Sequence, residues 1–509
     1  MAFRPMGSTK RMEYDCIVIG AGMAGLTCAL KLAAKGKKVL VLEKQPVAGG
    51  VATNFKRKGF TFESSLHFVD ALAPGGEIRE FLDEYCVSPK IDFIELKEFG
   101  RIIYPEHDFV VKGDFDALKA RLKQDFPHEE KGIDGFFQDI HKFYRSLDGF
   151  SNSRLPLWLN LLVSPILHPG VIKASCLTLE QFINKRIEDK RLRAILGTIW
   201  GFIGVAPSEV SAFYFLIVLR GYWGAKTAFM KGGYNSLFKA MVERIRELGS
   251  EIKFNTTVAQ IITEGGRRAS SVRTDKGEEF KAKVIVSNAN AIDTLTRLID
   301  CSALREFYAQ KLSSMRKSTS AAILYLGLDV PAASLGMGSF LLSIHNSYDH
   351  DDNTRRSLLG DYAGCSLAVV DHSQLDPGLA PAGKSNICVM TFDSYANWNT
   401  LSQDEYNKKK KEMAGAILAN LEKHLPGISA HIEVMETATP MTLKRFGSVP
   451  EGTIYGFAQT VAQSSINRLA QDTKIKGLFL AGAWTRPGCG VHGCLVSGKD
   501  AADLAGKIL

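Results

Sequence analysis

The chain lacks any long hydrophobic run. In its 509 residues the strongest apolar stretch, Leu155 to Leu167, is thirteen residues long and is interrupted by Pro156, Asn160, Ser164 and Pro165. A helix that crosses a bilayer needs roughly 20 apolar residues, so no transmembrane helix is expected. No secretory signal is visible either, because the residues before Glu13 carry Arg4, Lys10 and Arg11 but no apolar centre. Nine cysteines, an odd number without a Cys-x-x-Cys pair, argue against a disulfide framework and a thiolate metal site. We expect no metal, no disulfide and a reducing, cytoplasmic-type side. Internal repeats are missing, and so is the interleaving of basic and aromatic residues that marks a nucleic-acid module. The balance of 63 basic against 54 acidic residues gives +9, a modest surplus on the side that favours anionic lipid surfaces. Its one dense run, Lys408-Lys409-Lys410-Lys411, falls in an amphipathic helical pattern and reads as a solvated face.

What is present is core and a glycine turn. With 45% hydrophobic residues the chain can fill two intertwined domains. Asp15-Cys16-Ile17-Val18-Ile19-Gly20-Ala21-Gly22-Met23-Ala24-Gly25, then Val39-Leu40-Val41-Leu42-Glu43, spells strand, glycine turn, helix and second strand. Gly20 permits the tight turn, Gly22 lets backbone amides approach a pyrophosphate, and Gly25 lets the helix opening at Met23 pack on the strand. The helix start favours an anion. Glu43, 21 residues after Gly22, ends the second strand where a carboxylate accepts a ribose hydroxyl. Alone, such a motif also serves purely structural turns; its strand–helix–strand setting makes it a dinucleotide site.

Glu43-Lys44-Gln45-Pro46-Val47-Ala48-Gly49-Gly50, followed by Gly59-Phe60-Thr61-Phe62-Glu63, resembles the early flavin region of the amine oxidase and phytoene desaturase superfamily. A nicotinamide domain would continue into another helix and strand. Lys231 to Leu237, Val258 to Ile262, Val284 to Ala289, Ile475 to Trp484 and Gly488 to Gly493 extend the likeness. The resemblance implies non-covalent FAD, held by Gly20, Ala21, Gly22, Met23, Ala24, Gly25, Glu43, Lys44, Gly49, Gly50, Val51, Val258, Asn288, Gly482, Ala483, Gly490 and Val491. The last helix would point its N-terminus at the flavin. Asp376 to Lys384, Thr439-Pro440 and Gly452 to Gly456 resemble the DPxxAPxGK, TP and GxxYG signatures of the carotenoid desaturase branch: phytoene desaturases, carotenoid isomerases and retinol saturases.

That branch implies an α/β, Rossmann-type FAD-binding domain with an interleaved α+β substrate domain and a helical, membrane-facing cap. The expected FAD domain comprises 12–75, 228–300 and 440–509; the substrate domain comprises 76–227 and 301–439. The implied chemistry is desaturation, saturation or cis-trans isomerisation of a lipophilic polyene, with an external electron donor or acceptor that the sequence does not name. Departures bear on this. Val51 stands where many desaturases have Arg or Lys, Leu66-His67-Phe68 leans toward saturases and isomerases, and Ala483 replaces an acid that contacts the flavin in many relatives.

Catalytic candidates are His67, Glu63, Arg486 and His492, and for the histidines a structural role is as good a reading. Leu155 to Leu167, with Leu157, Trp158 and Leu161, reads either as a monotopic membrane anchor or as buried core. The aromatics Trp200, Phe202, Phe213, Tyr214 and Phe215 read as core, and the resemblance places some of them along a substrate channel. Trp484 matches the cage aromatic of monoamine oxidases, which keeps open a flavin oxidase of small amines. A non-catalytic prenyl-lipid carrier of the Rab escort type is disfavoured by the intact flavin motifs.

Overall fold

The computed structural model describes residues 13–64, 68–112, 115–223 and 227–509. Glu13–Ile19 is apolar and buried without a break from Cys16 to Ile19, and such a strand needs cover on both faces. It lies inside a parallel set: Cys16 pairs with Val39 of Val39–Leu42, and Ile17 with Ile285 of Glu279–Ser287. Glu251–Lys253 extends the set outward, Leu478–Leu480 joins one half of Glu279–Ser287, and the antiparallel strands Val258–Glu264 and Arg268–Thr274 follow on its other half. Alternation along Cys16–Ile19 separates the two cores, and Tyr14, near the start of the strand, departs from it. Cys16 and Val18 pack with helices Met23–Ala34, Tyr234–Glu247 and Gly490–Gly506, while Tyr14, Ile17 and Ile19 face the opposite layer.

Helix Glu77–Glu84 sends Ile78, Phe81 and Leu82 into the first core, and helix Ser302–Ser313 sends Tyr308 and Leu312 into the second. Both lie within the stretches expected for the substrate domain, 76–227 and 301–439. An apolar stripe shows that a helix is amphipathic but not which sheet it covers.

The second sheet runs Ile432–Ala438, Ser320–Leu328, Ser385–Asp393, Leu367–Asp371, Leu341–Ile344, Glu98–Ile103, Asp108–Lys112. Its neighbours are antiparallel except Leu341–Ile344 with Glu98–Ile103. Ser320–Leu328 and Ser385–Asp393 are buried at every position, since helix Gln403–Glu422 covers one face and the cap the other. On that helix Lys409 donates to the Asn397 carbonyl at 2.7 Å and lies over the Trp398 ring.

The cap is helical from Phe115–Asp125 to Ala212–Trp223. Its longest helix, Glu130–Ser151, buries Ile133, Phe136, Phe137, Ile140 and Phe143. The short helix Leu157–Leu167 is different. Leu161 is half-buried, whereas Leu162, Ile166 and Leu167 are 69%, 83% and 58% exposed. The solvent-facing stripe therefore lies beside Leu161 rather than on it, and the side chains of Leu157 and Trp158 are outside those described. Among the described residues no helix is long and apolar enough to cross a membrane.

Candidate functional site

The glycine turn is tied down on every side. Gly20 has φ +95°, and its amide donates to the Leu42 carbonyl at 2.8 Å, joining the turn to the second strand. The helix then opens at Met23 with Gly22 as N-cap, no side-chain cap and no acid in its first turn. The amides of Gly22, Met23 and Ala24 have no protein acceptor among the described residues. Aligned donors of this kind form an anion site. Glu43 is 5% exposed and accepts from the amides of Ala21 at 2.6 Å and Gln45 at 2.8 Å. Burial lowers the pKa of the neighbouring Lys44 amine. The Gly49 amide donates to the Ala21 carbonyl at 2.9 Å, which lays the Gly49-Gly50 loop against the turn, and Val51 is an exposed neighbour of Gly447.

Asn288 is the clasp. Its Oδ1 accepts from the Gly25 amide at 3.0 Å, its Nδ2 donates to the Ala481 carbonyl at 3.1 Å, and its own amide donates to the Ile19 carbonyl at 2.8 Å. A Cβ at Gly22 would come within 2.8 Å of the Asn288 oxygen, and one at Gly482 within 2.6 Å of its nitrogen. The Gly482 amide donates to Ser497 of the last helix at 2.9 Å. That helix also opens without a side-chain cap, at Cys489, and a Cβ added at Gly490 would meet nothing within 4 Å; Val491 beside it is half-buried. Val258, whose backbone the resemblance sets at the adenine, begins its strand buried. Open amides, the carboxylate at the strand tip and a second open helix start fit the diphosphate, ribose and ring system of FAD.

The catalytic candidates part company. His67 lies outside the described residues. Glu63 is fully buried, with Oε1 accepting from the Tyr234 amide at 3.2 Å and from Asn54 at 3.4 Å, while Oε2 has no partner among the described residues. Burial pushes its carboxyl up to about 8, against the smaller lowering by Asn54 and the Tyr234 amide. His492 bridges Asp70 at 2.9 Å and Glu77 at 3.1 Å, and Lys499 also pairs with Glu77 at 2.6 Å. Burial alone would lower the imidazole pKa, but the two carboxylates raise it to about 10, so the ring is a cation at neutral pH. It ties the last helix to Asp70 and helix Glu77–Glu84. Arg486 donates to the carbonyls of Arg468 at 3.2 Å and Ile466 at 2.7 Å, which leaves its guanidinium occupied by backbone. Trp484 is core: its ring meets Phe457 edge-on at 4.9 Å beside Leu478 and Leu480. Burial raises the Cys489 thiol pKa, and its sulfur lies 3.4 Å from the Tyr214 hydroxyl.

Because Glu63 holds its proton more tightly folded than unfolded, native stability falls as pH rises from about 4.5 to about 8. Glu63→Gln keeps the shape and removes that titration. We expect the variant's Tm to gain on the wild type between about pH 5 and about pH 8.5, and parallel Tm curves would overturn the neutral-carboxyl assignment.

Of one wall of rings the sequence marked only Phe202 as a channel candidate. Phe68 meets Phe99 at 5.8 Å, Tyr222 at 5.5 Å and Phe340 at 5.5 Å, and Phe202 stacks on Tyr222 at 4.8 Å. Phe202 and Tyr222 are only half-buried, whereas Trp200, Tyr214 and Phe215 are core. Phe68 is two residues from Asp70, so the His492 ion pairs anchor the wall to the last helix. The motif acid Asp376 accepts from the Gly232 amide at 2.7 Å and the Gly378 amide at 2.9 Å, joining two distant signatures.

This fold and these open helix starts define a dinucleotide-binding flavoprotein with a capped substrate domain. The family profile described as "Flavin containing amine oxidoreductase" matches residues 23–505, and the chain belongs to that family. Prolycopene isomerase 1 of an Oncidium hybrid cultivar is 29% identical over 518 residues, covering 97% of this chain and 84% of that protein. The neurosporene-forming phytoene desaturase of Rhodobacter capsulatus is 28% identical over 507 residues, with 96% and 93% covered. The all-trans-retinol 13,14-reductase of Danio rerio is 26% identical over 517 residues, with 92% and 82% covered. A solved oxidoreductase from Methanosarcina mazei superposes with a TM-score of 0.67 at 18% identity, over 97% of this chain and 100% of that one, a likeness of fold. The protein is thus an FAD-dependent oxidoreductase of the phytoene desaturase-like kind.

Proposed function

We propose that the protein acts on the carbon–carbon double bonds of a long lipophilic polyene, a carotenoid or retinoid, by isomerisation, saturation or desaturation, as a peripheral enzyme at a membrane surface on the reducing side. The observation that carries this reading is the nearly end-to-end match to relatives whose names specify such substrates. Bound FAD supplies hydride or electron exchange with a conjugated chain, which no side chain here supplies. The amides of Gly22 to Ala24, with Glu43, hold its dinucleotide end, and Asn288 keeps the three backbone segments around it in register. The half-buried rings of Phe202 and Tyr222, backed by the buried Phe68, Phe99 and Phe340, are the apolar faces against which a polyene would lie. A neutral Glu63 keeps carboxylate charge off the hairpin that Asn54–Arg57 and Phe60–Glu63 form. The small-amine oxidase reading loses its specific support, since Trp484 is packed on Phe457.

The test is anaerobic incubation of the FAD-loaded protein on liposomes with cis polyenes, phytoene and retinol, with the flavin oxidised or dithionite-reduced. Red-shifted products with oxidised flavin identify desaturation. Turnover confined to reduced flavin identifies isomerisation at unchanged mass and saturation at a gain of two hydrogens. No product from any of them, with FAD still bound, overturns the proposal.

A further inference from the structure

We propose that the cap docks specifically on anionic phospholipid, with one lipid phosphate seated in a basic cavity beside its exposed apolar stripe. This rests on the membrane reading above and adds the charge and the seat of the lipid. Leu162 and Ile166 stand one helical turn apart on Leu157–Leu167 and are 69% and 83% exposed. The next residue, Leu167, is 58% exposed and also lines a cavity of about 430 Å³. Lys142, Arg145 and Lys173 line the same cavity, so apolar stripe and cations share one rim.

The charge there is one-sided. The cavity's single lining carboxylate, Asp139, is shared by Lys142 and Lys173 at 3.8 Å each and by Arg186 at 3.0 Å. The lining itself sets three cations against one anion, a surplus of two, Arg186 pairs with that anion from outside the lining, and Arg145 has no ion-pair partner among the described residues. Phe143 and Phe182 add apolar wall, and Ser146 adds a hydroxyl. A phosphate with acyl chains matches this order, because its anion meets the cations while its chains meet the leucines. Either signal alone holds a bilayer weakly; together they form the paired apolar and basic anchor that stable peripheral attachment needs.

The experiment is co-sedimentation of the FAD-loaded full chain with vesicles of phosphatidylcholine alone or mixed with phosphatidylglycerol. We expect tighter binding to the mixed vesicles, weakening with salt. Lys142→Gln with Arg145→Gln should reduce that binding about 25-fold, about 5-fold per cation, at unchanged flavin absorbance. Leu162→Ser with Ile166→Ser should reduce binding to both kinds of vesicle. Equal wild-type binding to both vesicles, or a charge variant that binds like wild type, overturns the phosphate seat and leaves the membrane reading standing. Absence of binding to either vesicle overturns both.

Discussion

Gly25→Ala is expected to give folded protein that carries almost no FAD. A Cβ at this position would overlap the Gly20 carbonyl oxygen, which is backbone, and would press on Asn288 at 3.0 Å. Neither neighbour can give way cheaply: Gly20 is bonded to the second strand, and Asn288 holds Gly25 and Ala481 at once. The helix must move off the strand, taking with it the amides of Gly22, Met23 and Ala24 that we propose for the diphosphate. Overpacking of this kind costs about 1–3 kcal/mol in stability. Affinity suffers more, because an oriented set of donors loses its aim, and we expect FAD to bind at least about 100-fold more weakly. Flavin absorbance per chain and FAD titration read this directly. Gly415→Ala serves as the control, since a Cβ on that helix meets nothing within 4 Å and raises helix propensity. A fully yellow Gly25→Ala protein would overturn the geometry.

Arg468→Met should be the most destabilising single change we name. Arg468 is 1% exposed, yet its partners among the described residues are carbonyls and not a carboxylate. Its fork donates instead to three carbonyls: Nε to Thr485 at 2.9 Å, Nη1 to Phe457 at 3.1 Å and Nη2 to Ala483 at 2.5 Å. Burial draws its pKa below the ordinary guanidinium value, but the group stays charged at any working pH. Methionine would fill the space and leave three carbonyls unpaired, at about 1–3 kcal/mol each before relaxation. We expect a loss of about 3–5 kcal/mol by urea unfolding, a large share of the 5–15 kcal/mol typical of folded proteins. Since two of those carbonyls belong to the turn after Gly482, FAD occupancy should fall as well. Arg468→Lys tests the fork, because an ammonium cannot reach three divergent carbonyls. Wild-type stability and flavin content in that variant would show that the fork is dispensable.

Neither Arg468 nor Asn288 announces itself along the chain in the role it takes. Arg468 follows Ser464-Ser465-Ile466-Asn467, a polar stretch that reads as surface, and only the approach of Phe457, Ala483 and Thr485 makes it interior. The resemblance put Asn288 at the cofactor, but its hold on Gly25, Ala481 and Ile19 needs three segments brought together across the sheet. His492 stands beside a glycine turn as a plausible proton carrier; Asp70, 422 residues away, makes it a fixed cation. Trp484 invites a role at the substrate until Phe457 is seen against its ring.

The division has a physical basis. A glycine turn, an alternating strand and a helix start are governed by steric limits and hydrogen bonds within a few residues, so Gly20 to Gly25, Glu43 and the buried strands around them are readable in the chain. Which face an amphipathic helix turns inward, which ring meets which, and which ionisable group keeps its proton depend on neighbours supplied by remote segments. The aromatic wall at Phe68, the neutral Glu63 and the basic cavity beside Leu167 exist only once packing has paired those segments and excluded water from between them.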